Sequence, residues 1–225
     1  MNIEKIITAD GSSSLSLVGQ NEHYHSTHGA IQEAEHVYLA SGLDYFFNSH
    51  HLITKANILE VGFGTGLNAL LSLLFATQNK IALNYTSIEA YPLKWEVIKD
   101  LNYPELLDLS HQQFQLLHDL PWNRFEKVKA YFSLRKIEIK LEEINFMNEF
   151  DVVFFDAFGP RTQPELWEKP IFKKIFKAMK TPSVFVTYSA KGQVRRNLID
   201  VGFKVEKIPG PPGKREMLRA KKQQV

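Results

Sequence analysis

Three carboxylates stand where an apolar run gives way to a loop: Glu60, Glu89 and Asp156. The first is followed by alternating glycines, Gly62, Gly64 and Gly66, and then by an apolar helical stretch from Leu67 to about Ala76. Glycines let backbone N–H groups approach a ligand closely, and a helix N-terminus adds a positive dipole end. The spacing E-x-G-x-G-x-G differs from the G-x-G-x-x-G that holds a dinucleotide pyrophosphate. An acid at the strand end repels a pyrophosphate and suits a ligand with an amino group and a positively charged sulfur. Glu89 closes the predicted strand Asn84 to Glu89. An acid about twenty residues past such glycines can accept hydrogen bonds from both hydroxyls of a ribose. Asp156 closes Val152-Val153-Phe154-Phe155, whose apolar character on both faces fits a central parallel strand covered by helices. Ligands of open α/β sheets lie outside the strand ends. Asp156 is therefore expected beside the glycine loop, where a reacting group belongs.

These groups need a frame, and the rest of the chain supplies one. Ile6 to Thr8 and Leu15 to Val18 read as a hairpin around Asp10-Gly11. A polar loop from Asn21 to Ala30 follows, then helical spacing from Ile31 to about Phe47, expected to pack over the ligand edge. Trp95 to about Phe132 has helical periodicity, interrupted near Tyr103-Pro104 and Leu120-Pro121-Trp122, and is long enough for two helices. Lys136 to Leu141 alternates like a strand. A helix is predicted from about Lys169 to Met179 and a strand from Ser183 to Tyr188. A basic helix from Lys191 to Val201 stops at Gly202, and strands at Lys204 to Ile208 and Glu216 to Ala220 close the sheet. The expected fold is α/β, a doubly wound and mostly parallel sheet. Residues 1–50 form an N-terminal hairpin and helix extension, and 51–225 the core.

Composition narrows the function classes. With 225 residues and 44% hydrophobic content, one domain with a substantial core is expected, without repeats. There is no cysteine, which excludes disulfides and thiolate metal sites. Six of the eight histidines precede Leu52, but with Glu22, Glu33 and Glu35 they show no zinc or iron spacing, and no metal is expected. The first residues do not read as a signal peptide, and the longest apolar run is too short to span a bilayer. A soluble cytoplasmic protein with no membrane partner is the expectation. Net charge is only +2 but uneven: from Lys191 to Val225 ten basic residues face three acidic ones, +7 there against −5 elsewhere. Such asymmetry hints at a polyanion partner.

The glycine motif resembles the first motif of the S-adenosylmethionine (SAM) methyltransferases. Five further stretches sharpen the likeness: Asp156 to Pro160 (D-A-F-G-P), Pro164 to Trp167 (P-E-L-W), Tyr188 to Arg196 (Y-S-A-K-G-Q-V-R-R), Gly210 to Leu218 (G-P-P-G-K-R-E-M-L) and N-E-x-Y-H-S-x-H-G-A from Asn21. Together they resemble the methyltransferase part of the bifunctional tRNA wobble-uridine modifier MnmC, and still more its stand-alone relatives, called MnmD, over roughly Gln20 to Ala220. The resemblance implies a Rossmann-like fold and SAM as cofactor. It implies tRNA, at its anticodon stem-loop, as partner. The reaction implied is methylation of the 5-aminomethyl group of a wobble (2-thio)uridine to 5-methylaminomethyl. Gly159 departs mildly from the D-[AG]-F-A-P that the family often shows, which is expected to loosen the loop. The oxidase domain of MnmC is not expected here, so an oxidase partner or another route would supply the aminomethyl form.

Roles follow for individual residues. Glu60, Gly62, Gly64, Gly66, Asn68 and Glu89 are assigned to SAM, and Glu142, nearest the end of the Lys136 to Leu141 strand, to its adenine amino group. Tyr24, His25 and Tyr188 are assigned to the uracil pocket, since unpaired bases are held by stacking and edge contacts. Lys191, Arg195, Arg196, Lys214 and Arg215 are assigned to anticodon-stem phosphates. Asp156 is the catalytic candidate. At an ordinary pKa near 3.9 it is a poor base, so the expected role is mainly to orient the attacking amine. A small-molecule amine N-methyltransferase and a non-catalytic SAM- or RNA-binding module are the alternatives.

Overall fold

The structure, a computed structural model, describes residues 3–19 and 22–223. Strands β1 (Ile3–Ile7), β2 (Ser13–Leu17) and β3 (Glu22–His23) form a small antiparallel sheet. Its first turn holds because Asp10 Oδ1 accepts from the Ser12 N–H at 2.9 Å while Gly11 takes φ of 84°. The helix that follows is one rod in three parts: α1 (Ala30–Ala34), a π-helical segment (Glu35–Asp44) and α2 (Tyr45–Ser49). The wider turn, whose bonds reach five residues back, also brings the Ser41 hydroxyl onto the His36 carbonyl at 2.8 Å.

The main sheet is built from β4 (Lys55–Val61), β5 (Ala82–Glu89), β6 (Phe125–Lys129), β7 (Phe132–Glu138), β8 (Phe150–Phe155), β9 (Met179–Thr187), β10 (Lys204–Pro209) and β11 (Glu216–Lys222). Their order across the sheet is β10-β11-β9-β8-β4-β5-β7-β6. The five central strands, from β9 to β7, run parallel, and antiparallel partners close both edges. From β4 the chain winds outward through β5 and β7, then returns to β8 and winds outward the other way. The strand order thus reverses between β4 and β8, the place where such sheets bind ligands.

Helices cover both faces. Helix α3 (Leu67–Asn79) packs with the N-terminal rod on one side. Helices α7 (Lys169–Ala178) and α8 (Gly192–Val201) cover the other. Strand β8 shows the consequence of side-chain alternation: Val152 and Phe154 enter the first core, Val153 and Phe155 the second, and all four are inaccessible. Gly42 on the rod permits its approach to this sheet, since a Cβ there would lie 3.1 Å from both Phe154 and Val186. Gly202 ends α8 in the left-handed conformation, φ 114°.

The stretch after β5 departs from expectation. Instead of two helices reaching Phe132 it holds three short ones, α4 (Trp95–Ile98), α5 (Tyr103–Leu106) and α6 (His111–Asp119), and then the β6–β7 hairpin. The strand expected at Lys136 to Leu141 lies earlier, ending at Glu138. The inward-facing set is Phe132, Leu134 and Lys136, and the lysine disguises the pattern. Lys136 is buried, with Nζ donating to the His118 carbonyl at 2.5 Å and lying 5.0 Å from the Trp122 ring centre. Ile139 and Leu141, read from the sequence as strand positions, lie beyond the strand and border the cleft described next. Among the described residues no helix is long and apolar enough to cross a membrane.

Candidate active site

A cleft of about 670 Å³ opens at the carboxyl ends of β4, β5 and β8, under the loop that carries Tyr24 and His25. Its floor is the glycine loop. Gly62, Gly64 and Gly66 take φ of 92°, 49° and 76°, values that L side chains rarely adopt. At Gly62 the requirement is doubled, because a Cβ would sit 2.9 Å from the Asp156 carbonyl oxygen. The loop is anchored on both sides: Gly62 N–H donates to the Ile88 carbonyl at 2.9 Å, and Asp156 N–H to the Val61 carbonyl at 3.1 Å.

Asp156 borders the cleft directly. Tyr38, from the π-helical segment, donates its hydroxyl to Asp156 Oδ1 at 2.5 Å, and Asn68, from the first turn of α3, donates Nδ2 to Oδ2 at 2.8 Å. Burial pushes the Asp156 pKa up to about 7, with the Glu33 charge adding to the rise. The two hydrogen bonds and the Lys214 charge hold it from going higher. This revises the expectation of a weak base near 3.9: the group is matched to proton exchange near neutral pH.

Glu89 and Glu142 border the same cleft. Glu89 accepts from the Gly64 N–H at 3.1 Å and from the Tyr91 N–H at 3.0 Å, so the carboxylate is fixed beside the glycine loop. Glu142 is exposed, on the single 3₁₀ turn Leu141–Glu143 past β7. Asn68 borders the cleft as well, though its amide is spent on Asp156.

Glu60 does not border it. Val61 does, and because side chains alternate along a strand, its neighbour faces the other side. Glu60 is 1% exposed beneath the loop, and Ser87 Oγ donates to its Oε2 at 2.5 Å.

Tyr24, His25 and Tyr188 all line the cleft. Tyr24 meets Phe158 edge to face at 5.0 Å, and burial together with the Glu89 charge raises its pKa to about 12. His25 is tied in place, Nδ1 to Ser14 Oγ at 2.9 Å. Burial lowers its pKa to about 4 against the opposing charges of Glu33 and Asp10, so it is neutral at pH 7. Tyr188 donates its hydroxyl to the Ala157 carbonyl at 2.8 Å.

The five basic residues separate into two groups. Lys214 belongs to the cleft: its ammonium pairs with buried Glu33 and lies 4.1 Å from the Tyr188 ring centre. Lys191, Arg196 and Arg215 are exposed, and Arg195 is half-buried; none of these four borders the cleft. Lys214 thus stands apart from the other four, inside the cleft and with its charge matched by Glu33.

Sequence reasoning missed Tyr38, Glu33, Glu22 and Phe158. Glu22 accepts from the Thr162 hydroxyl, joining the N-terminal sheet to the loop after β8 across the cleft mouth. The only available signal was motif membership for Glu22 and Phe158. Tyr38 read as one more apolar position on a helix. Asn21, in the same N-terminal motif, lies outside the described residues.

Residues 110–223 match the family model described as S-adenosyl-L-methionine-dependent methyltransferase. The chain is 30% identical over 212 residues to the tRNA 5-methylaminomethyl-2-thiouridine biosynthesis bifunctional protein MnmC of Leptospira borgpetersenii serovar Hardjo-bovis (strain JB197), covering 88% of this chain and 32% of that protein. It is 32% identical over 208 residues to the protein of the same name from Nitrosospira multiformis, covering 87% and 33%. The chain thus spans about a third of the length of the curated relatives it matches. Among solved structures, MNMC2 from Aquifex aeolicus superposes with a TM-score of 0.78 at 30% identity, covering all of this chain and 72% of that one. Spermidine synthase from Thermotoga maritima superposes at 0.60 with 14% identity, covering 97% and 68%, a likeness of fold alone. A glycine loop that tolerates no side chain, a fixed acid at the tip of β5 and these matches lead to one statement: the chain belongs to the S-adenosyl-L-methionine-dependent methyltransferases.

Proposed function

We propose that the chain methylates the 5-aminomethyl group of a wobble (2-thio)uridine in the anticodon stem-loop of tRNA, producing 5-methylaminomethyl. The observation that carries this reading is Asp156, a half-buried acid held at the cleft by Tyr38 and Asn68, its pKa raised to about 7. The names of the 30–32% identical relatives supply the substrate class. The cleft border supports a cationic acceptor, since Glu22, Glu33, Glu89, Glu142, Asp156 and Glu165 outnumber Lys140 and Lys214.

When bound, SAM supplies an electrophilic methyl on a positively charged sulfur. Gly62 and Gly64 with Glu89 form the part of the cleft suited to hold it, Gly66 lies off the cleft where the loop turns into α3 against His118 and Phe63, and Glu142 stands at the cleft border for the adenine edge. The residues of the chain then have three tasks. Asp156 accepts a proton from the substrate ammonium. If that ammonium titrates like lysine, moving its proton to an ordinary aspartate costs about 9 kcal/mol, and to a group near 7 about 5 kcal/mol. Tyr38 and Asn68 fix both Asp156 oxygens, so the freed lone pair is aimed from a set position. The nitrogen so prepared would be the acceptor for the methyl that SAM would supply. Tyr24 and Tyr188 offer aromatic surfaces for the base, while Lys191, Arg195, Arg196 and Arg215 offer charge for backbone phosphates. An oxidase or another amine-releasing activity would supply the aminomethyl precursor.

The test is incubation with methyl-labelled SAM and tRNA from cells lacking the terminal methylation, followed by nucleoside analysis. Label in 5-methylaminomethyl-2-thiouridine, absent with Asp156→Asn, is the expected result. Label in small amines but never in tRNA would overturn the substrate assignment.

A further inference from the structure

The glycine motif begins with an acid that never reaches the cleft. Glu60 lies beneath the loop, beside Ser87 and Tyr85 of β5, Asn68 of α3, and Asp156 at the end of β8. None of the groups that act on its carboxyl is cationic. Ser87 donates to Oε2, the Tyr85 hydroxyl acts on the same carboxyl, and Oε1 is buried without a direct partner among the described residues. Asn68 stands between the two acids. Its Nδ2 donates to Asp156 Oδ2 at 2.8 Å and the same side chain acts on Glu60.

Two carboxyls flanking one asparagine, one of them fully buried, do not both ionise readily, since like charges disfavour each other and burial disfavours an ionised Glu60 further. The surroundings decide which one keeps the proton. Asp156 has the Tyr38 hydroxyl, the Asn68 amide, the Lys214 charge and an open side toward the cleft. Glu60 has the Ser87 and Tyr85 hydroxyls and the Asn68 side chain, but no cation acting on it and almost no solvent. Burial accordingly drives its pKa well above the ordinary carboxylate range.

We propose that Glu60 is a positioning residue that keeps its proton, presenting a neutral carboxyl to Asn68 so that Asp156 is the one acid of the pair free to ionise at the cleft. This departs from the direct SAM contact the motif suggests. It rests on Asp156 as the reacting acid but not on the identity of the methyl acceptor. An ionised Glu60 would oppose the charge on Asp156 and hold its titration at higher pH. A neutral Glu60 makes Gln an adequate replacement, because the amide matches the protonated acid in shape and can both donate and accept.

Infrared spectra of the intact protein at pH 7 test this without any substrate. In Asp156→Asn, where Asp156 cannot contribute, a protonated carboxylic acid band is expected, lost in the double variant Glu60→Gln/Asp156→Asn. Absence of the band from Asp156→Asn, or its retention in the double variant, overturns the proposal. In SAM binding and methyl-transfer assays, Glu60→Gln should keep the SAM Kd and kcat within about two-fold and leave the acidic limb of the pH profile in place. Glu60→Leu should lower kcat about ten-fold with the SAM Kd unchanged. A ten-fold weaker SAM Kd in Glu60→Gln would instead show direct contact and overturn the assignment. If Glu60→Leu does not fold, the spectra and the Gln variant still decide. If tRNA proves not to be the acceptor, the infrared result stands apart from that failure.

Discussion

Tyr38 and Asp156, 118 positions apart in the chain, share a hydrogen bond of 2.5 Å that ties the N-terminal rod to the carboxyl end of β8. The donor comes from a π-helical turn and the acceptor from the strand beside the glycine loop. Removing the hydroxyl in Tyr38→Phe takes away a bond that favours the ionised acid. Hydrogen bonds to charged groups contribute about 1.5–3 kcal/mol, so the acidic limb of kcat against pH should rise by about one unit. Activity at pH 7 should fall about five-fold and recover at pH 9, measured by methyl-transfer rates across the range.

Asp156→Asn should reduce kcat by about 10²–10⁴ while SAM affinity by calorimetry changes little. Stability should move the other way. The native pKa of Asp156 is raised to about 7 above its ordinary value of 3.8. The stability this contributes is full below about pH 4 and lost as pH rises through 7. The variant has no such loss. Thermal unfolding at pH 8 should show it melting about 5 °C or more above the parent, with the two converging near pH 4.

Gly62→Ala meets two obstacles, φ of 92° and the Asp156 carbonyl at 2.9 Å from the added carbon. The strain of a left-handed residue alone is about 1–2 kcal/mol. A melting temperature lower by roughly 3–6 °C and SAM binding weakened at least ten-fold are expected, read by calorimetry. Parent-like SAM binding in this variant would contradict the assignment of the loop.

Salt dependence separates the basic residues. Arg196→Ala and Arg215→Ala should each reduce the slope of log affinity for tRNA against log salt by about 0.7–0.9. Lys214→Met should leave the slope in place, because that ammonium is already paired with Glu33 in the cleft. Its effect should fall on turnover, since loss of its charge raises the Asp156 pKa further.

The parts of this molecule legible from the sequence are those set by neighbours in the chain. The strand before Gly62, the helix after Gly66 and the apolar run before Asp156 each announce themselves within ten residues, and the sheet follows from them. Hairpin β6–β7 stayed hidden because a buried lysine stands where an apolar residue marks the pattern. Glu60 was misplaced for a different reason. Motif spacing locates a residue along a strand, whereas strand alternation decides which face it takes, and Val61 had already claimed the cleft. Tyr38 was beyond reach, because nothing local distinguishes a core tyrosine from one whose hydroxyl meets an acid on another element.

The wide turns of residues 35–44 carry an evolutionary consequence. Deleting one residue there would let the rod relax into an ordinary helix, a conformation favoured by backbone energy alone. It would also turn one end against the other by about 100°. With α2 seated in the core, Tyr38 would swing off its acid. The looser coil is thus the geometry that lets one rod serve both the hydrophobic interior and the chemistry, and a sturdier version of it would be a poorer catalyst.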